Sequence, residues 1–212
     1  MDDAARLRDF ATSLGHELPE PAAPLLVAFT DAMLAENQHV NLTAVRDRDA
    51  ALVLHAMDSL GVLLVDHDPT RTLDLGTGNG FPGIAIAATD DSADVTLLDR
   101  TQKKIAAITR ALEAAHVDPT RVRAQALDAA QLPAHGGRGR FTLVTSRAVA
   151  SAHDVGKLAA PLLRRHGRLV LWLSVETEAP RELPGGLRRI GVWDYALPDP
   201  AARERRIAAW ER

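Results

Sequence analysis

The chain has 212 residues, enough for one full core with or without a helical attachment, and its 46% hydrophobic and 25% charged content is that of a globular protein. It has no cysteine, which excludes disulfides, thiolate zinc sites and cysteine nucleophiles; charges break its apolar runs, so a cytoplasmic protein without signal peptide or membrane span is expected. The net charge of -3 hides an asymmetry: residues 1–106 carry 8 basic and 17 acidic side chains, residues 107–212 carry 17 and 11, which suits either a polyanion such as RNA or solvated arginine-rich faces.

From Met1 to Val65 the pattern is helical. Leu7, Phe10, Ala11 and Leu14 fall at helical spacing with Gly15 as a stop, and a second helix runs from about Pro24 to Gln38 with Leu25, Leu26, Phe29, Met33 and Leu34 on one face. Val40 to Asp47 reads as an ordered loop ending in a helix cap. A third helix carries Leu52, Leu54, His55, Asp58, Ser59, Leu60 and Leu63. On it His55 and Asp58 stand at i and i+3, share a face and can hydrogen-bond to each other or tie the helix to a neighbour. No histidine has the i, i+4 spacing of a metal-binding helix, so no metal is expected.

Strand Arg71 to Leu75 then runs into Gly76-Thr77-Gly78-Asn79-Gly80-Phe81-Pro82-Gly83 and a helix to Ala88. Glycines here permit positive φ or close backbone approach, and Pro82 suits a first helical turn. The third glycine of G-x-G-x-x-G is replaced by Phe81, so a pyrophosphate packed against the helix is not encoded. Strand Val95 to Leu98 ends on Asp99, an acid placed to hold the vicinal hydroxyls of a ribose; together the two features point to an adenosine-type ligand.

Helix Lys103 to Ala115, strand Val122 to Ala126 with Asp128 after it, strand Phe141 to Ser146, helix Ala152 to Leu163 and strand Leu169 to Ser174 follow. These repeated units predict a parallel sheet covered by helices, with Gly76, Asp99, Asp128 and Arg147 at the carboxyl ends of the strands. The basic loop Gly136-Gly137-Arg138-Gly139-Arg140 reads as a solvated turn that could touch phosphate. Leu187 to Tyr195 and Arg205 to Trp210, joined through Pro198 and Pro200, look like an antiparallel pair. The sum is an α/β, Rossmann-like class I methyltransferase outline: seven mostly parallel strands in residues 67–212, preceded by a helical extension, residues 1–66.

Asn41-Leu42-Thr43-Ala44-Val45-Arg46-Asp47, His55-x-x-Asp58-Ser59-Leu60, Asp74-Leu75-Gly76-Thr77-Gly78-x-Gly80-Phe81-Pro82-Gly83, Leu98-Asp99 with Lys103-Lys104, and Ser146-Arg147-Ala148-Val149-Ala150 occur in this order. Together they resemble the small-subunit ribosomal RNA guanine-N7 methyltransferase G family, also called glucose-inhibited division protein B, over nearly the whole chain. The resemblance implies S-adenosylmethionine as methyl donor, S-adenosylhomocysteine as product, and no metal. Asp74, Gly76, Thr77, Gly78, Gly80 and Phe81 would line the cofactor. Asp99 and Arg100 would meet the ribose, Ala126, Leu127 and Asp128 the adenine, and Arg147, the catalytic candidate, would lie between cofactor and substrate. Arg46, His55, Asp58, Lys103 and Lys104 would serve the substrate, small-subunit ribosomal RNA or the 30S particle, with no obligate protein partner evident. The chain departs from the family at Leu173-Ser174, where lysine-glycine is usual.

A guanine N7 has a free lone pair and no proton to remove, so alignment and electrostatics suffice without a general base. The lack of cysteine disfavours pyrimidine C5 methylation, and Thr145-Ser146-Arg147-Ala148 lacks the Asn/Asp-Pro-Pro-aromatic motif of exocyclic amine methylation. Two readings stand beside this one: a same-fold methyltransferase acting on a small molecule, and an S-adenosylmethionine-binding protein without catalysis.

Overall fold

The computed structural model describes residues 2–147, 150–199 and 202–212. Met1 of the helical stretch, Ala148 and Val149 of the Ser146–Ala150 motif, and Pro200 of the last turn lie outside the described residues.

Helix α1 (Asp3–Ser13) buries Leu7, Phe10 and Ala11 and stops where Gly15 takes φ 86°. Helix α2 (Ala22–Asn37) buries Ala22, Leu26, Phe29, Thr30, Met33 and Asn37, the spacing of one helix face. Its last side chain organises the loop that follows: the Asn37 Oδ1 accepts from the Leu42 and Thr43 amides at 2.8 and 3.0 Å. Asp47 caps helix α3 (Arg48–Ala51), accepting from the Ala50 amide at 2.8 Å.

The expected third helix is not uniform. After α3 the chain makes a π-helical turn, Leu52–Met57, then a 3₁₀ turn, Leu60–Leu64. The wider turn changes which side chains share a face. His55 and Asp58 accordingly do not bond to each other; both turn to a third residue, Arg147.

Strands β1 (Thr72–Leu75), β2 (Val95–Asp99), β3 (Val122–Ala126), β4 (Phe141–Arg147) and β5 (Leu163–Leu173) are parallel, linked by α4 (Gly83–Thr89), α5 (Gln102–Ala114) and α6 (Ala152–Ala159). β6 (Glu182–Leu183), β7 (Leu187–Ala196) and β8 (Glu204–Glu211) complete the sheet antiparallel, in the order β3-β2-β1-β4-β5-β8-β7-β6. The sheet therefore has eight strands rather than seven, because two residues at Glu182–Leu183 pair with the start of β7. A second correction concerns β5. It starts at Leu163 and not Leu169, and α6 ends at Ala159, because Leu163 pairs with Phe141 before the polar stretch Arg164–Gly167 loops out and pairing resumes at Arg168. β1 is central and buried at every position, although Thr72 and Asp74 are polar.

Strand order reverses between β1 and β4, so a crevice opens where their carboxyl ends diverge. The helices of residues 2–66 pack on the sheet through one shared core, in which Phe29 of α2 meets Phe81 edge-on at a centroid distance of 5.4 Å. Gly80 permits this approach: a Cβ there would sit 2.6 Å from the Phe29 ring. Phe29→Ala is expected to cost about 3–5 kcal/mol of stability in urea unfolding and to loosen the Gly76–Phe81 turn. An unchanged midpoint would show that α2 does not brace the turn.

Candidate functional site

Gly76, Gly78 and Gly80 carry the chain out of β1 with φ of 71°, 57° and 92°, values that side chains rarely adopt. The amides of Gly76 and Thr77 donate to the Leu98 carbonyl at 2.8 and 2.9 Å, fixing the turn to β2. Beneath it lies Asp74. Its Oδ2 accepts from the Thr77 hydroxyl at 2.6 Å and the Gly83 amide at 3.2 Å, and its Oδ1 from the Thr145 hydroxyl at 3.0 Å. Burial pushes the Asp74 carboxyl up to about 6, against those three hydrogen bonds, which favour the charged form. The carboxyl thus braces the turn from behind and does not border the open space.

That space is a cleft of about 960 Å³ at the carboxyl edge of the sheet. Of the residues assigned to a cofactor by sequence, Gly76, Thr77, Gly78, Phe81, Asp99, Arg100, Leu127, Asp128 and Arg147 border it. Asp74, Gly80 and Ala126 do not: Gly80 faces Phe29, and Ala126 pairs in β3 before the chain reaches the cleft. Asp99 spends Oδ1 on the Thr101 amide at 2.8 Å, and Asp128 spends Oδ1 on the Ala130 amide at 2.9 Å. Each acid is oriented by one oxygen, and its Oδ2 has no protein partner among the described residues.

Arg147 ends β4 with its side chain mostly buried, and its guanidinium is gripped by the π-turn region. Nη1 lies 3.2 Å from the Leu54 carbonyl, 3.3 Å from Asp58 Oδ2 and 3.4 Å from Ser59 Oγ; Nη2 lies 3.4 Å from His55 Nδ1. A guanidinium only donates, so His55 Nδ1 must carry the lone pair and Nε2 the proton. Nε2 then donates to Thr43 Oγ1 at 2.9 Å, which also accepts from the Val45 amide at 3.1 Å. Burial and the Arg147 charge push His55 down to about 4, so it is neutral at pH 7.

Asp58 is held as firmly. The buried Tyr195 hydroxyl lies 2.8 Å from both Asp58 Oδ1 and the Asp58 carbonyl, and Trp172 Nε1 donates to that carbonyl at 2.9 Å. Arg205 Nε stands 3.3 Å from Oδ1. Burial and the adjacent carboxylate raise the Tyr195 phenol well above its ordinary value, which fixes it as a donor. Gly61 makes room for it, since a Cβ there would meet the hydroxyl at 2.6 Å.

Of the residues assigned to substrate, His55, Asp58 and Lys104 border the cleft, Lys103 stands exposed outside it, and Arg46 is turned back to the Asn37 carbonyl at 2.8 Å. Thr43, Trp172, Tyr195 and Arg205 complete the site without having been assigned to it. Tyr195 is the chain's one tyrosine, in a segment with no motif to mark it.

The family model for rRNA small subunit methyltransferase G matches residues 23–179. Proteins named ribosomal RNA small subunit methyltransferase G are similar over most of the chain: that of Syntrophotalea carbinolica is 32% identical over 177 residues, 82% of this chain and 79% of its own. That of a Psychrobacter species is 36% identical over 185 residues, 85% of this chain and 78% of its own. Among solved structures, an Agrobacterium tumefaciens protein described as a predicted O-methyltransferase superposes with a TM-score of 0.56 at 21% identity, covering 74% of this chain and 80% of that one. A variant of MtNAS solved with S-adenosylmethionine gives 0.57 at 13% identity, covering 98% and 77%. These two likenesses speak for the fold.

Two buried groups make opposing pH contributions. His55 is lowered from 6.5 to about 4, so between those values the unfolded chain binds the extra proton and stability falls as pH falls. Asp74 is raised from 3.8 to about 6, so the folded chain binds the extra proton and stability rises as pH falls through 6. Each is worth at most about 3 kcal/mol and the two oppose each other, with His67, also lowered by burial, adding to the side of His55. Asp74→Asn should unmask the histidine: its urea midpoint should drop more steeply than that of the unsubstituted protein from about pH 6.5 to 4.5. Parallel profiles would contradict this assignment.

Proposed function

Because the chain belongs to the rRNA small subunit methyltransferase G family, we propose that it transfers a methyl group from S-adenosylmethionine to N7 of a guanine in small-subunit (16S) ribosomal RNA. The observation that carries this reading is the placement of Arg147, immobilised in the same cleft as the Gly76–Asn79 turn and Asp99.

The chemistry of the donors fits the cofactor. A glycine turn with left-handed residues lets a ligand approach the backbone, Asp99 keeps Oδ2 for a ribose, and Leu127 and Asp128 form a rim for an adenine. S-adenosylmethionine supplies an electrophilic sulfonium methyl when bound. The protein's part is to align the base and exclude competing nucleophiles.

No side chain has to take a proton, and the two candidate bases are committed elsewhere. His55 has one nitrogen on Arg147 and the other on Thr43, and Asp58 is engaged by Arg147 and Tyr195. Both act in this reading as positioning residues for Arg147. A fixed arginine can donate to guanine O6, where adenine presents an amino group instead, so Arg147 supplies base selection. The base must leave its stack to enter, since the deep groove of A-form RNA hides the N7 edge.

In this reading residues 1–66 are a helical extension on a methyltransferase domain of residues 67–212, Lys103 and Lys104 steer RNA at the cleft mouth, and the 30S particle is the substrate. No described helix is long and apolar enough to cross a membrane; the protein works in the cytoplasm on ribosomal RNA.

Nucleoside mass spectrometry of small-subunit RNA from cells lacking the protein should show a gain of one 7-methylguanosine per RNA after treatment with protein and S-adenosylmethionine. No gain, with the cofactor shown to bind, would point to a small-molecule substrate at the Leu173-Ser174 side of the cleft. Asp99→Ala should weaken cofactor affinity by about tenfold or more, losing charged hydrogen bonds to the ribose. Arg147→Gln should lower kcat/KM for RNA by about a hundredfold with cofactor affinity changed far less. Equal losses in both would make Arg147 a cofactor ligand only.

A further inference from the structure

The edge of the sheet opposite the cleft carries a group of exposed arginines around β1, β4 and β5. In parallel strands all amino ends share one edge. Arg71 immediately precedes β1, Arg140 immediately precedes β4, and the loop that interrupts β5 presents Arg164, Arg165 and His166. Backbone bonds hold these segments together: Thr142 N to Arg71 O at 2.9 Å, Gly139 N to Pro161 O at 3.0 Å, and His166 N to Arg212 O at 2.9 Å. His166 takes φ 60°, a conformation few side chains adopt, which lets the loop project from the strand.

Around β1, β4 and β5 the acids of this edge are paired, while Asp90 and Asp118, before β2 and β3, stand on its other side. Asp68 pairs with Arg164 at 2.7 Å, Asp66 with Arg168 at 3.0 Å, and Glu211 with His166 at 3.1 Å. Arg71, Arg138, Arg140 and Arg165 are exposed and have no acidic partner within 4.0 Å among the described residues. Both signs occur on this face, but its acids are spent on Arg164, His166 and Arg168, so four arginines on neighbouring segments are left as a net positive field, and guanidinium is the side chain best matched to phosphate. A small cavity of about 130 Å³ beside them brings Arg140 together with Arg123 and His135.

We propose that this edge, built on Arg71, Arg138, Arg140 and Arg165, is a second RNA-binding surface that grips the phosphate backbone of folded ribosomal RNA at a distance from the methylated base. The proposal rests on the RNA reading given above. The seven residues of β4 span about 20 Å, so the surface and the cleft lie on opposite edges. A large folded RNA can reach both, and the second grip adds affinity without touching the reacting atoms.

Arg138→Glu/Arg165→Glu, with Arg138→Gln/Arg165→Gln as the milder pair, tests this by filter binding to small-subunit ribosomal RNA across a salt series and by methylation kinetics. Both variants should weaken RNA binding, the charge reversal by about tenfold near 0.1 M salt, and flatten the slope of log K against log salt by roughly one or more. The kcat at saturating RNA and the S-adenosylmethionine affinity should stay at the values of the unsubstituted protein. RNA affinity and salt slope unchanged in both folded variants would overturn the second surface. A loss of kcat or cofactor affinity would also overturn it, by showing that the edge acts through the fold. Failure of the unsubstituted protein to methylate any RNA is a separate outcome and refutes the functional reading instead.

Discussion

The side of the cleft that carries Arg147 depends on one buried cation. The Arg147 guanidinium is taken out of water where β4 meets the π-turn, and a charge so placed is tolerated when it is paired and hydrogen-bonded. Leu54, Asp58 and Ser59 accept from Nη1 and His55 from Nη2, with Asp58 as the countercharge, while Nε and the second Nη2 N–H have no protein partner among the described residues. Removing Asp58 would leave an uncompensated charge, so the helical segment of residues 52–59 and the sheet are locked together. The lock extends outward through Thr43 to the loop after α2, and through Asp58 to Trp172 on β5 and Tyr195 on β7. Networks of this kind rigidify the groups that they hold. Rigidity is what a reaction without a general base requires, because its rate comes from alignment and fixed charge.

Topology explains why this lock sits beside a cofactor-binding turn. Reversal of strand order between β1 and β4 brings Gly76 and Arg147 to adjacent strand ends, although 70 residues separate them in the chain. The same parallel arrangement collects the opposite strand ends on the far edge. One sheet therefore presents a chemically committed edge and a basic one, and the division follows from strand direction alone.

The glycine turn, Asp99 and the five-strand parallel core were legible because they follow local rules: positive φ favours glycine, and short strands alternate with helices in repeated units. The contacts of Tyr195 and Trp172 with Asp58 were not, since they join residues 137 and 114 positions away that no spacing rule connects. His55 and Asp58 were legible as a pair on one helix face, able to bond to each other or to tie the helix to a neighbour; the π-turn, which has no sequence signature as strong as a cap, turns both to that neighbour, Arg147. Asp74 was placed on the cofactor by the family resemblance. Its burial shows it bracing that turn from below. The early start of β5 was not legible: Leu163 was read as the end of a helix, and a register shift separates its pairing with Phe141 from the run that resumes at Arg168.

The central claim is that Arg147 is fixed by a neutral His55 bearing its proton on Nε2. Nitrogen-15 NMR of the histidine ring reports both the tautomer and the titration of that group. The account predicts an Nε2–H imidazole at pH 7 that titrates near 4, well below an ordinary histidine. An Nδ1–H tautomer, or a midpoint near 6.5, would mean that His55 does not accept from Arg147 and that the guanidinium is held in some other way.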